Sequence, residues 1–89
     1  MSEENENIIY VGTKPAIKYA AAVAAEFENG ASSVFIKARG RAISRAVDAA
    51  EISINRFLEG VEIKEVKIST EEIENRNVST IQILLSKVE

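Results

Sequence analysis

Lys37, Arg39 and Arg41 put three cations within five residues, and the two arginines straddle Gly40. The chemistry this spacing suits is capture of a phosphate. Arginine's planar fork of five donors matches phosphate oxygens better than a point charge does, and a glycine lets a ligand approach the main chain. Few other side chains offer chemistry, because the chain has neither histidine nor cysteine. That excludes disulfides, thiolate zinc sites, histidine acid–base catalysis and cysteine nucleophiles. Asp48 and Glu51, one helical turn apart, are the remaining pair that could hold magnesium or act as acid and base, in a small enzyme that binds phosphometabolites or processes phosphoryl groups. Carboxylates in mid-helix are ordinarily solvated or ion-paired, and no glycine-rich phosphate motif accompanies these. A purely structural oligomer is the other alternative.

The basic segment lies where a strand gives way to a helix. Val34-Phe35-Ile36 is a β-branched and aromatic run, and Ile43, Ala46, Val47, Ala50, Ile54, Phe57 and Leu58 then recur at helical spacing. First-turn amides of a helix point outward without partners and carry the positive end of its dipole, so the junction suits an anion. Lys14 and Lys18 lie at the start of the other predicted helix. Helix starts favour acidic residues, and cations placed against that preference argue for a ligand rather than a merely solvated surface.

Taken in order, residues 1–7 read as a mobile acidic tail and 8–89 as one domain. Ile8-Ile9-Tyr10-Val11 has the pattern of a strand covered on both faces. Thr13 can cap the first helix, which runs to about Glu28 with Ile17, Ala20, Ala21, Val23, Ala24 and Phe27 as its buried stripe, and Asn29-Gly30 stops it. The second strand covers about Ser33 to Ala38, and the second helix about Arg41 to Leu58. Val61, Ile63, Val66 and Ile68 form the third strand, whose apolar phase slips by one between Ile63 and Val66, as at a bulge. The fourth covers about Val78 to Lys87, and the polar stretch Ser69 to Asn77 between them reads as a hairpin projecting into solvent. The spacing predicts an α+β fold of order βαβαββ: a four-stranded mixed sheet with both helices on one face. Ile52 and Phe57 cannot both face where Ile43, Val47 and Ile54 face, so apolar surface at the end of helix two is left for another chain.

The formal charge is −3, but it is unevenly spread: residues 1–7 carry −3, residues 8–58 carry +3 and residues 59–89 carry −3. A basic footprint on one face of an acidic molecule is the expectation, with weak, salt-sensitive binding. No apolar run approaches the roughly 20 residues of a membrane span, so no membrane partner is expected, and the acidic amino terminus is unlike a signal peptide. A soluble cytoplasmic protein is the expectation.

Ile36-Lys37-Ala38-Arg39-Gly40-Arg41-Ala42-Ile43-Ser44, then Ala46-Val47-Asp48, Glu51-Ile52 and Asn55-Arg56-Phe57-Leu58, strongly resemble the Alba family of small archaeal chromatin and RNA-binding proteins. Gly12-Thr13-Lys14-Pro15, Ile63-Lys64-Glu65-Val66 and Val78-Ser79-Thr80-Ile81 fit the same pattern. The resemblance implies no cofactor and no enzyme activity. It implies a homodimer, or a heterodimer with a paralogue, that binds double-stranded DNA or structured RNA without regard to sequence, in chromosome compaction or RNA maintenance. The loops before the two helices would form a basic body on the nucleic-acid backbone, and the hairpins would reach as arms toward minor grooves. The expected nucleic-acid-binding set is Lys14, Lys18, Lys37, Arg39, Gly40, Arg41, Arg45 and Arg76, and the expected dimer–dimer set is Phe57 with Asn55 and Arg56. Two departures stand out: Thr13 takes the first place of a lysine pair common in the family, leaving Lys14 as the acetylation candidate, and the hairpin is shorter and more acidic.

Overall fold

A computed structural model of the chain describes residues 7–88. In chain order it contains β1 (Ile8–Tyr10), α1 (Ala16–Glu28), β2 (Ser33–Arg39), a 3₁₀ turn (Gly40–Ala42) leading into α2 (Ile43–Ile52), a π turn (Ser53–Phe57), β3 (Val61–Ile73) and β4 (Arg76–Lys87). The strands form one sheet in the order β1-β2-β4-β3. β1 and β2 are parallel, and the other two pairings are antiparallel. This is the expected βαβαββ mixed sheet. Of the expected tail, only Asn7 lies within the described residues, and its carbonyl accepts the Phe35 N–H at 2.8 Å.

Alternation along the central strands sets the two faces of the sheet. Val34, Ile36 and Ala38 of β2 and Ile81, Ile83 and Leu85 of β4 all point to one side, where Val23 and Phe27 of α1 and Ala46 and Ala50 of α2 meet them. Ile36 and Leu85 are fully buried, each contributing on the order of 1.5–3 kcal/mol of apolar burial. Small residues let the helices approach each other and the sheet: Ala20, Ala46, Ala49 and Ser53 have no exposed surface. The Ser53 hydroxyl donates to the Ala49 carbonyl at 2.8 Å, which satisfies the one buried polar side chain among the described residues.

Several sequence expectations are corrected. β1 is an edge strand rather than one covered on both faces, and Tyr10 is 70% exposed, because the helices cover only one side of the sheet. Ile17, Ala21 and Val47 are exposed instead of lining the core, since Ala20 and Ala24 of α1 and Ala46, Ala49 and Ala50 of α2 are the alanines turned inward. The second helix is not continuous: Gly40–Ala42 is wound more tightly, and Ser53–Phe57 more loosely, with the Leu58 N–H donating to the Ser53 carbonyl at 2.9 Å. Gly40 has φ +59°, the left-handed geometry expected of a hinge. The expected bulge is present, with Lys64 as the extra residue between the Ile63–Leu85 and Glu65–Leu84 pairs.

The Ser69–Asn77 stretch is mostly strand. β3 and β4 stay paired out to Ile73 and Arg76, and only Glu74-Asn75 turns. Backbone pairing there does not depend on a buried face, which is why apolar alternation missed it. Glu74 and Asn75 have φ of 49° and 67°, the pair of left-handed residues of a type I′ hairpin turn, which favours Asn-Gly. The double substitution Glu74→Asn, Asn75→Gly is expected to tighten the arm, slowing amide exchange across Thr70–Ser79 several-fold. Hydrogen exchange followed by NMR tests this, and unchanged or faster exchange contradicts the turn assignment.

Candidate nucleic-acid interface

Parallel pairing sends the carboxyl ends of β1 and β2 to the same edge of the sheet, so the two loops that lead into helices emerge side by side. The pairing runs one residue past β1, with the Val11 N–H donating to the Lys37 carbonyl at 2.9 Å. Two side chains then fix the first loop. The Tyr19 hydroxyl, one turn into α1, accepts the Gly12 N–H at 2.9 Å and the Lys14 N–H at 3.1 Å. Arg45 of α2 donates from Nη1 to the Gly12 carbonyl at 2.6 Å, locking the first loop to the second helix. Thr13, expected to cap α1, makes no capping bond; the helix has no side-chain cap, and Tyr19 holds the loop instead.

The amide hydrogen bond from Lys14 is the largest influence on the Tyr19 phenol and holds its pKa below the ordinary value of 10.0. Desolvation opposes this, while the Gly12 amide and the charges of Lys14 and Arg45 reinforce it.

Around this braced corner the expected cations fall into four groups. Lys14, Lys18 and Arg41 are exposed, and neither helix has an acidic residue in its first turn, so the dipoles and side chains add with one sign. Lys37 is half-buried, with its ammonium 5.9 Å from the centre of the Phe35 ring. Arg39 is already engaged, its Nη1 lying 2.9 Å from Oε1 of Glu71 on β3, with both side chains more than half exposed. Exposed pairs of this kind contribute about 0.2–1 kcal/mol, so a phosphate can displace the carboxylate. Arg45 differs from the rest, because it is half-buried and its short bond to Gly12 makes it a brace.

The remaining expected residues lie elsewhere. Arg76 is exposed beside the hairpin turn. Phe57 is 40% exposed in the π turn, and Arg56 is exposed next to it. Asn55 donates to Oε1 of Glu51 at 3.0 Å, so one of the two carboxylates considered for acid–base work is bonded to a neighbour on its own helix. Sequence reasoning missed Tyr19, Gly12 and Glu71. Tyr19 carried a usable signal, a phenol on the first turn of a helix that follows a strand ending in glycine; Glu71, 32 residues from its partner, carried none.

The sequence pattern of the family described as Alba matches residues 7–70. The chain is 55% identical to the DNA/RNA-binding protein Alba 1 of Archaeoglobus fulgidus over 92% of this chain and 97% of that one. It is 53% identical to the DNA/RNA-binding protein Alba of Methanoculleus marisnigri over 91% and 93%. Among solved structures, Alba from Thermoplasma volcanium superimposes with a TM-score of 0.85 at 45% identity, covering 91% of this chain and all of that one.

Because Tyr19 holds two loop amides, Tyr19→Phe is expected to lower the urea midpoint. The native pKa lies below the unfolded one, so folding favours the phenolate. The stability this adds is fully present above the unfolded pKa of about 10 and is lost as pH falls through the lower native value. The gap between wild type and Tyr19→Phe is therefore expected to widen as pH rises toward and through the unfolded pKa of about 10. A constant or shrinking gap contradicts the brace.

Proposed function

The chain belongs to the Alba family, and from that premise we propose that it binds nucleic acid without regard to sequence, through the basic edge where β1 and β2 meet their helices. The observation that carries this reading is the placement of Lys14 and Lys18 at the start of α1, and of Lys37, Arg39 and Arg41 at the end of β2 and the turn after it, where parallel pairing brings the two strand ends together and Arg45 ties the first loop to α2. Cations at two helix starts neutralise successive phosphates and release counterions, and this supplies affinity that carries no sequence information. The names of the relatives, DNA/RNA-binding proteins, support the same ligand class. Backbone contact accommodates double-stranded DNA and structured RNA alike.

The active species is a dimer. After the bulge, Val66 and Ile68 of β3 point to the helix side of the sheet, opposite Ile83 and Ile81, yet they are 53% and 75% exposed. Among the described residues no helix reaches over them. A second copy, or a paralogue with the same hairpin, covers that strip, which places two basic edges on one surface and doubles the number of phosphates engaged. Arg76 rides at the tip of each arm. Phe57, exposed at the far end of the second helix, joins dimer to dimer along a coated duplex, with Asn55 and Arg56 beside it. An association with the chromosome, and weakening by acetylation of Lys14, follow from the same electrostatics.

Two measurements test this. Log affinity for duplex DNA falls linearly with log salt, and Arg39→Ala with Arg41→Ala is expected to flatten the slope by about 0.9 for each phosphate no longer neutralised; an unchanged slope rules the corner out. Phe57→Ala is expected to abolish cooperative coating in gel-shift titrations while sedimentation still reports a dimer. Equal cooperativity in the two proteins contradicts the role given to that ring.

A further inference from the structure

Among the described residues no element packs on the helix-free face of the sheet, and register makes its composition definite. Tyr10 lies beside Lys37, and the row continues through Gln82 of β4 to Lys67 of β3. One pleat away on β2, Phe35 lies between Ile8 and Leu84 on the same face. Tyr10 and Phe35 are thus diagonal neighbours on adjacent strands, with backbones roughly 8 Å apart. Tyr10 is 70% exposed. Beside it opens a shallow concavity of about 480 Å³, bordered by Tyr10, Lys37, Arg39, Lys67 and Gln82.

The geometry points to this face as a second nucleic-acid site, one that takes an unpaired RNA strand by stacking bases on Tyr10 and Phe35 while Lys37 and Lys67 meet its phosphates. The inference rests on the preceding reading in taking nucleic acid as the ligand and shares Lys37 with it, but the rings that distinguish this face address bases rather than a duplex backbone. A sheet face cannot reach the bases inside a duplex. Nor does the backbone spacing of the two residues, more than twice the about 3.4 Å rise of a stacked strand, suit stacked bases. It suits bases splayed apart, as unpaired RNA allows, and aromatic residues on an open sheet are how such bases are commonly held.

Charge complementarity supports the same occupant. Lys37, Lys67 and Arg39 surround the concavity, and its bordering carboxylate, Glu71, is bonded to Arg39. Glu65 and Glu62 share the face but lie on β3, with β4 between them and Phe35. The floor between the two lysines is the half-buried Gln82 amide, which offers both a donor and an acceptor, the complement of a ribose 2′-hydroxyl. The basic segments themselves contain no stacking aromatic. The platform exists because parallel pairing brings Tyr10 beside Lys37, 27 positions along the chain.

The test is fluorescence anisotropy of the full chain with oligouridine of about 12 nucleotides, within the site sizes of single-strand binders, alongside the matching oligothymidine and a duplex of mixed sequence. Tyr10→Ala is expected to weaken oligouridine binding about ten-fold or more and leave duplex binding within about two-fold, while Tyr10→Phe retains both. Tyr10 is exposed, so its loss does not threaten the fold. Oligouridine binding that is absent from the wild type, or unaffected by Tyr10→Ala, overturns the site. So does a parallel loss on oligouridine and duplex, which would mark a general basic surface. Equal affinity for oligouridine and oligothymidine overturns the assignment to RNA. If wild-type duplex binding were absent while the Tyr10 dependence held, the preceding reading would fall and this one would stand.

Discussion

Parallel pairing of β1 with β2 is the constraint on which the rest depends. Two parallel strands end at the same edge, so both strand-to-helix corners open together. A three-residue edge strand is a slender basis for that alignment. It is reinforced beyond its own length: Asn7 and Val11 extend the pairing at either end, Tyr19 closes the loop that follows, and Arg45 fastens that loop to α2. Without these bonds the cations before α1 and those before α2 would move independently and present no common surface.

Electrostatics then works against the molecule's own average. The whole chain is acidic, and long-range attraction to a polyanion is correspondingly weak; what remains is a local field, set by helix starts that lack acidic residues and by the cations around them. The Arg39–Glu71 pair shows how closely the opposing charges approach. A carboxylate of the arm occupies one guanidinium of the body, so a phosphate has to compete for it. The competition involves an exposed, weak pair, and ionic strength weakens pair and ligand together.

Much of this was legible in the sequence, wherever the physics is local. Helical spacing placed both helices, alternation of Ile81, Ile83 and Leu85 placed β4, the phase slip after Ile63 announced the bulge at Lys64, and Gly40 announced the hinge. What escaped is non-local. Strand order decides that Ile8-Ile9-Tyr10 forms an edge, and register decides that Tyr10 neighbours Lys37; neither is encoded in a window of adjacent residues. The brace by Tyr19 replaced the expected Thr13 cap because a phenol reaching back from the next turn serves two amides at once. In the arm, polar residues hid a regular ladder, since strands wet on both sides need no apolar period.

The most direct test of the account is an amide chemical-shift map of the labelled protein titrated with a short DNA duplex at low salt. The largest changes are expected to fall together on Gly12–Lys14 and on Lys37–Arg41, the two segments joined at the common edge. Changes confined to one of these segments, or centred on the hairpin or on the far end of the second helix with the edge unmoved, would contradict it.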